Sequence, residues 1–267
     1  MAAGDKMFVS LFDTSVVEAY SLTTAYDIST AGSADSSKDV SSQTGNPAGV
    51  VLDPTGTTMY VAGYGEGKVF QYNLSTPWDL STASLDTSLS AGGSFTAGIS
   101  FKPDGTQAFV MDNSNNRIRS YNLSTAWDLG TATAGSSTTS GIASNSTGVF
   151  IGKDGTKMYV ADNSNDTIDE FDLSTPWDVS TNSLNQSRDV SSQVSNLRDV
   201  AFSEDGTKMF ITGSNYNEVH EFDLSIAWDV STESLTDTKG VSDGPSGVSF
   251  QLSEIASSFT PRVTSIM

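Results

Sequence analysis

Four segments of closely similar sequence follow one another along the chain at an interval of about 50 residues. Each contains a Gly-Thr turn, an apolar strand, a polar hairpin and a Leu-Ser-x-x-Trp-Asp sequence; the segments start at Asp53, Pro103, Lys153 and Glu204. Successive turn glycines are 49, 50 and 51 residues apart, at Gly56, Gly105, Gly155 and Gly206. One such unit cannot bury its own apolar face, so repeats of this kind pack against their neighbours, and this period is typical of propeller blades.

Each repeat reads as four short strands. An apolar strand such as Gly98 to Phe101 runs into the turn, and a second apolar strand such as Met158 to Ala161 follows it. After the hairpin, a third strand alternates apolar and polar side chains, as in Thr167 to Asp172, and a Ser/Thr-rich outer strand completes the unit. Alternation with a period of two and Asn/Asp/Gly hairpins indicate antiparallel strands. Each repeat therefore predicts one four-stranded blade.

A fifth unit is divided between the two ends of the chain. Its turn and second strand lie at Gly4 to Val9, its third strand at Glu18 to Leu22, and its first strand at Gly247 to Phe250. The C-terminal strand should therefore complete the N-terminal blade, which removes the exposed edges of an open array. The sequence predicts a single all-β domain, a five-bladed β-propeller, with blades at about 4–46 plus 247–251, 47–96, 97–146, 147–197 and 198–246, and a tail at 252–267.

The segment DGTKMYVADNSNDTIDEFDL, from Asp154 to Leu173, resembles the YVTN-type β-propeller repeat. It has the Asp-Gly-Thr turn, the Met-Tyr-Val strand and the Asn-rich hairpin of that pattern, and the resemblance covers about half of each blade. With the Leu-Ser-Thr-Pro-Trp-Asp extension, which lies outside the pattern, the repeats are similar to those of marine bacterial and phage virion proteins. The resemblance implies a propeller used for display and binding, although a fold of this kind hosts unrelated functions.

The charge of the chain limits its partners. It has 32 acidic and 13 basic residues, and the resulting net charge of −19 disfavours binding to nucleic acid. No apolar stretch is long enough for a membrane span, so no membrane insertion is expected. The first ten residues, MAAGDKMFVS, do not have the pattern of a secretory signal. We expect a location on a virion or an extracellular surface, reached without a signal peptide, with the cytoplasm as the other possibility.

Motifs of known catalytic chemistry are missing from the sequence. There is no cysteine, and His220 is the single histidine, at a third-strand position where a surface residue is expected rather than a catalytic base. No nucleophile elbow, zinc-protease or nucleotide-binding motif occurs. We therefore expect that the chain is not an enzyme. Carboxylate pairs from distant segments leave a glycan-cleaving enzyme as an alternative.

Two hairpins, Asp112 to Asn116 and Asp162 to Asp166, are rich in oxygen ligands, as calcium loops are. They do not have the later Glu and the turn Gly of an EF-hand. Asn and Asp are also common in turns because they tolerate positive φ. A structural turn is the favoured interpretation, so neither a metal nor a cofactor is expected.

An aromatic residue followed by Asp occurs once in every blade. The five pairs are Tyr26-Asp27, Trp78-Asp79, Trp127-Asp128, Trp177-Asp178 and Trp228-Asp229. A sugar could stack on the ring and donate hydroxyl hydrogen bonds to the carboxylate, and five copies would supply avidity. Alternatively, the ring packs against the neighbouring blade and the Asp caps the following turn. Packing is the favoured interpretation, and these ten residues are also the candidate ligand-binding residues.

The two faces of the predicted propeller differ in how much they vary between copies. The turns after the first strands and the Trp-Asp connections share one face and are nearly the same in every blade. The opposite face has the hairpins and the variable loops, where a specific partner would dock. The resulting hypothesis is a non-catalytic binding or display module, such as a phage capsid decoration or host-attachment protein, that contacts a surface protein or a glycan. A multivalent lectin is the first alternative, and the glycan-cleaving enzyme is the second.

Overall fold

The computed structural model describes residues 3–214 and 216–253, which form five four-stranded antiparallel sheets. Blade I contains β1 (Lys6–Leu11), β2 (Val16–Ser21), β3 (Ser36–Asp39) and β20 (Pro245–Phe250). Blade II contains β4 (Pro47–Leu52), β5 (Thr58–Gly63), β6 (Lys68–Leu74) and β7 (Ala83–Ser90). Blade III contains β8 (Thr96–Phe101), β9 (Gln107–Asp112), β10 (Arg117–Leu123) and β11 (Ala132–Thr138). Blade IV contains β12 (Ser146–Ile151), β13 (Lys157–Asp162), β14 (Thr167–Leu173) and β15 (Asn182–Asp189), and blade V contains β16 (Leu197–Phe202), β17 (Lys208–Gly213), β18 (Glu218–Leu224) and β19 (Glu233–Gly240).

The predicted fold class is confirmed, including the way in which the ring closes. Strand β20 pairs antiparallel with β1, with Val248 opposite Val9, so blade I joins the two ends of the chain. The inner strands β4, β8, β12, β16 and β20 contact one another in ring order around the axis. The part of the predicted tail at 254–267 lies outside the described residues. Within the described residues, no helix is long and apolar enough to cross a membrane.

The hydrophobic core is divided into layers between adjacent blades. The inner and second strands of each blade are almost fully buried, as in β13, and the third strands are mostly buried, as in β14. The outer strands alternate between half-buried and exposed side chains, as in β15. One layer joins Phe8 and Val17 of blade I to Val61 and Tyr72 of blade II. Because each blade is covered by its neighbours, its strands read as apolar runs and not as a simple alternation.

Antiparallel connections give the propeller two distinct faces. The turn face has the Gly-Thr turns that follow the inner strands, and the hairpin face has the hairpins between the second and third strands. A three-residue 3-10 turn on the turn face precedes each outer strand, at Ile28–Thr30, Leu80–Thr82, Leu129–Thr131, Val179–Thr181 and Val230–Thr232.

Small residues at one level of the axis let the inner strands approach each other. A Cβ added to Gly98 would lie 2.7 Å from the backbone nitrogen of Val149, and one added to Gly247 would lie 2.3 Å from the carbonyl oxygen of Ala48. Contacts this close to backbone atoms exclude a side chain in those strands. The same level of the ring has glycine in four blades, at Gly49, Gly98, Gly148 and Gly247, and Asp199 in blade V.

Candidate active site

The aromatic-Asp pairs lie one per blade around the ring. Each aromatic residue has a positive φ, such as 65° at Trp177, and its ring covers the turn glycine, so that a Cβ on Gly155 would lie 2.3 Å from the indole. The ring of Trp177 also stacks on Phe109 of the preceding blade with 6.2 Å between centroids. The carboxylate of Asp178 accepts hydrogen bonds from the backbone nitrogen of Ser180 at 3.1 Å and from its hydroxyl at 2.6 Å.

The other four aromatic rings also contact the preceding blade, and that of Trp127 is tilted by 35° against Tyr60 with 6.4 Å between centroids. The rings of Trp78, Trp228 and Tyr26 stack on Phe8, Tyr159 and Phe210 of the preceding blades. Third-strand side chains add hydrogen bonds between blades: Gln71 accepts one from the backbone nitrogen of Leu129 at 2.8 Å, and Glu221 accepts one from that of Ile28 at 2.9 Å. The pairs therefore link neighbouring blades, and ligand binding by these ten residues stays a prediction.

His220 is buried, with 5% of its surface exposed, so the expectation of a surface position is wrong. Burial lowers the pKa of its imidazole. Its Nδ1 lies 3.3 Å from the hydroxyl of Thr238, and its Nε2 has no hydrogen-bond partner among the described residues. The third strand alternates apolar and polar residues in sequence, which suggested that its polar residues face solvent. The next blade covers the strand, so a polar residue in it is buried.

The two oxygen-rich hairpins adopt tight turns with a left-handed residue in each, Asn116 at φ 47° and Asp166 at φ 51°. Asp112 is buried and pairs with Arg117 at 3.2 Å and Arg119 at 3.4 Å. Within residues 3–214 and 216–253, no group of three or more His, Asp or Glu side chains is arranged to hold a metal ion.

A cavity of about 140 Å³ lies on the propeller axis and opens on the turn face. Its wall consists of apolar inner-strand residues, among them Ile99, Val149, Val200 and Val248. Polar side chains also line it: Tyr26, Ser100, Lys153, Asp199, Glu204, Ser249 and Ser253.

Asp199 lies nearest the hairpin end of its strand among the β16 residues that line this cavity. One carboxylate oxygen accepts a hydrogen bond from its neighbour Val200 at 2.9 Å, and the other accepts one from Val248 of blade I at 3.0 Å. Among the described residues, no basic side chain pairs with it. Burial raises the pKa of Asp199 to about 7. A carboxyl group that titrates near neutrality can act as a general acid or base.

Two hydroxyl groups of the cavity wall have no partner for their protons among the described residues. The Tyr26 hydroxyl and the Ser249 hydroxyl are buried, and neither donates a hydrogen bond to another described residue. Burial raises the pKa of Tyr26, so its hydroxyl stays protonated and available as a donor. Buried polar groups normally have partners, and unpaired donors in a cavity that also contains a carboxyl group suit a bound ligand with oxygen acceptors.

At the mouth of the cavity, Lys153 and Glu204 approach each other at 3.5 Å. Lys153 is the only cationic side chain among the described residues that line the cavity. The backbone nitrogen and the hydroxyl of Ser253 both donate to the carboxylate of Glu204. The fold and the site together define a β-propeller with an axial, acid-containing cavity.

The model of one protein family, described as Lactonase, 7-bladed beta-propeller, matches residues 50–251, about three quarters of the chain. The chain belongs to this family, and it has five blades instead of seven. Among curated proteins, none matches the chain.

Solved structures share the fold at low identity. A chain of the nidogen/laminin complex is 13% identical, with a TM-score of 0.63 over 94% of this chain and 99% of that one. A protein from Lactobacillus plantarum is 16% identical, with a TM-score of 0.55 over 92% and 71% of the two chains. A candidate 6-phosphogluconolactonase from Bacteroides fragilis is 14% identical, with a TM-score of 0.53 over 92% and 70%.

Family membership overturns the functional expectation. The hypothesis of a non-catalytic display module, with its lectin and glycan-cleaving alternatives, is wrong, and so is the expectation that the chain is not an enzyme, because the family is one of lactonases. The search for repeated residues and known motifs missed Asp199, whose signal in the sequence is that it replaces a glycine of the other blades. The propeller part of the predicted resemblance is confirmed, and its YVTN type stays a prediction.

Proposed function

We propose that this protein hydrolyses a small lactone in the axial cavity, with Asp199 as the general base. The observation that carries the proposal is the Asp199 carboxyl group, which lines an apolar cavity and has a pKa of about 7. Membership of the lactonase family supports the reaction class.

The reaction requires proton transfer at two points. Ionised Asp199 removes a proton from water as the water oxygen attacks the lactone carbonyl carbon. The ring C–O bond then breaks, and Asp199 returns the proton to the leaving alkoxide oxygen, which gives a hydroxy acid. A base with a pKa near the working pH is effective in both steps, because it accepts and releases the proton at similar cost.

The free hydroxyl donors suit the charge that develops during the reaction. A tetrahedral intermediate carries negative charge on the former carbonyl oxygen, and donors fixed in a water-poor cavity stabilise such a charge strongly. Tyr26 and Ser249 have protons available for this oxygen or for ring hydroxyls of the substrate. This role gives Tyr26 a function beyond that of the four tryptophans at the same repeat position.

The charge of the cavity mouth favours an uncharged sugar lactone. The cation there, Lys153, faces Glu204 at 3.5 Å, and the chain as a whole has a net charge of −19. Among the described residues that line the cavity, Glu204 and Asp199 would repel the phosphate of a phosphorylated lactone, and Lys153 is the one cation that would offset them. The phosphorylated substrate in the name of the Bacteroides fragilis protein is therefore the less favoured one for this chain.

Proton release from glucono-δ-lactone, corrected for spontaneous hydrolysis, tests the proposal. We expect kcat/KM to increase as pH rises through about 7, since Asp199 must be ionised. Asp199→Asn should lower kcat by about 100- to 10 000-fold, the usual contribution of a general base. Asp189→Asn, at an exposed carboxylate of β15, is the matched control and should leave kcat unchanged.

Asp199→Gly is a second variant, because it restores the residue of the other four blades and should fold. Full activity in either Asp199 variant would exclude this carboxyl group as the base. A wild-type rate no faster than spontaneous hydrolysis, for both this lactone and its 6-phosphate, would exclude the proposed function.

A further inference from the structure

The residue before Asp199 is also exceptional among the inner strands. Arg198 stands where the other blades have Ala48, Ala97, Thr147 and Ser246. Its guanidinium carbon lies 4.9 Å from the centroid of the Phe12 ring, at the hairpin end of the axis. This is the end of the axis opposite to the mouth of the lactone cavity.

The charge of Arg198 is not neutralised within the described part of the chain. No carboxylate oxygen there lies within 4.0 Å of its guanidinium nitrogens. Its Nε is buried and donates no hydrogen bond to a described residue. Burial lowers the pKa of the guanidinium, and the nearby Tyr64 and Asp13 act in the opposite direction, raising that pKa. A half-buried guanidinium is costly without a partner, so a bound anion would satisfy it.

Aromatic rings surround this arginine on one side of the axis. Phe12 and Tyr64 each follow the second strand of their blade, and their centroids are 5.9 Å apart. Tyr64 stacks on Phe95 at 4.8 Å with an interplanar angle of 25°, and Phe95 is 41% exposed. Of these rings, Phe12 contacts the cation and Phe95 presents an exposed apolar surface.

The other blades place polar residues at the same hairpin position. The equivalents of Phe12 and Tyr64 are Asn113, Asn163 and Ser214, which follow β9, β13 and β17. The backbone nitrogens of Phe12, Tyr64 and Ser214 all donate to a carbonyl at the start of the inner strand of their own blade, which confirms the equivalence. The hairpin end of the axis is therefore aromatic on one side and rich in amide and hydroxyl groups on the other.

We infer that this end of the axis binds a sugar acid, with its carboxylate on Arg198 and one face of its ring on the exposed ring of Phe95. The planar guanidinium matches a carboxylate in a bidentate pair, and aromatic faces stack on the C–H face of a pyranose. The inference is independent of the proposed lactone hydrolysis, since it concerns different residues at the other end of the axis.

Calorimetric titration of the full chain with sodium glucuronate, at low ionic strength, tests the inference. We expect saturable binding that weakens with added salt, whereas glucose, which has the same ring without the carboxylate, should not bind. Arg198→Gln should weaken binding at least tenfold, and Arg198→Lys should restore part of it, because lysine keeps the charge and loses the planar fork. Phe95→Ala, at an exposed ring, should weaken binding several-fold without loss of fold.

Lys153→Gln, at the opposite end of the axis, is the control cation and should leave glucuronate binding unchanged. Absence of glucuronate binding, or undiminished binding by Arg198→Gln, would overturn the inference. Inorganic phosphate that binds as tightly as glucuronate would overturn the sugar-acid assignment, because phosphate has no ring to stack. Binding is measured directly here, so failure of the lactone assay would not affect this result.

Discussion

Strand β16 and the other four inner strands occupy equivalent places around the axis, yet β16 differs from them in two residues that carry charge. In β4, β8, β12 and β20, a small residue is followed by a glycine, and the strands pack backbone to backbone. In β16, the same two places hold Arg198 and Asp199, one directed to each end of the axis in the sites described above. The residues that recur in four copies serve packing, and the departures in β16 are the residues on which both proposals rest.

The aromatic-Asp connections illustrate the other side of this comparison. They are repeated in all five blades, and each ring packs on a turn glycine and on the preceding blade. Their uniformity follows from the identical contacts between successive blades. Multivalent sugar binding would also keep the five pairs alike, so their similarity does not by itself distinguish packing from ligand binding. The evidence for packing is the contact of each ring with the turn glycine and with the preceding blade.

Deletion of the strand that closes the ring tests the role of the repeated inner strands, and it should have the largest effect on stability of the changes considered. Removal of residues 247–267 deletes most of β20 and leaves β1 with an unpaired edge and its core layer open. We expect an insoluble chain or one without a cooperative unfolding transition. Removal of 254–267 alone is the control and should keep the transition. A chain without 247–267 that melts like the full one would mean that β20 is dispensable.

Asp199, which stands in β16 where the other inner strands have glycine, should lower the stability of the folded protein, whereas the repeated residues should raise it. The pKa of Asp199 is raised from 3.8 in the unfolded chain to about 7 in the folded protein, so folding favours the protonated carboxyl. Below pH 4 both states are protonated; between pH 4 and 7 the unfolded state loses its proton first, and stability falls as pH rises. Above pH 7 the loss reaches on the order of 4 kcal/mol at most.

Asp199→Asn removes this titration, so its free energy of unfolding should exceed that of the wild type by an amount that grows from pH 4 to pH 7. Urea unfolding of both proteins across that range measures the difference, and the other carboxylates affect both chains alike. A constant difference would show that Asp199 ionises with an ordinary pKa in the folded protein.

Substitution of one repeated aromatic residue should change the free energy of unfolding by less than the deletion of β20 or the ionisation of Asp199. Trp177→Ala removes the ring that covers Gly155 and contacts Phe109, and should lower the free energy of unfolding by about 3 kcal/mol. Leu184→Ala, in the same blade at a side chain that is 51% exposed, is the control and should change it by less than about 0.5 kcal/mol. Equal stability of the two variants in urea would favour the ligand-binding role of the aromatic-Asp pairs.

The repeat made most of the fold predictable. Strand alternation, the turn glycines and the split fifth unit specify four strands per blade and the closure by Gly247 to Phe250, because these signals are local or recur at a fixed interval. The proposed general base, Asp199, was harder to predict, since a lone Asp in an apolar strand resembles no motif. Comparison of Asp199 with Gly49, Gly98 and Gly148 was the available signal.

The sequence by itself determined the blade, its strands and the number of its copies, because local hydrogen bonding and side-chain periodicity depend on neighbours along the chain. Only the tertiary structure decided which single departures from the repeat meet on the axis and how deeply they are buried. The hydrogen bond between Asp199 and Val248 joins residues of two blades, and the covering of His220 needs the adjacent blade. Burial and the resulting pKa values arise from packing between blades, which no single repeat contains.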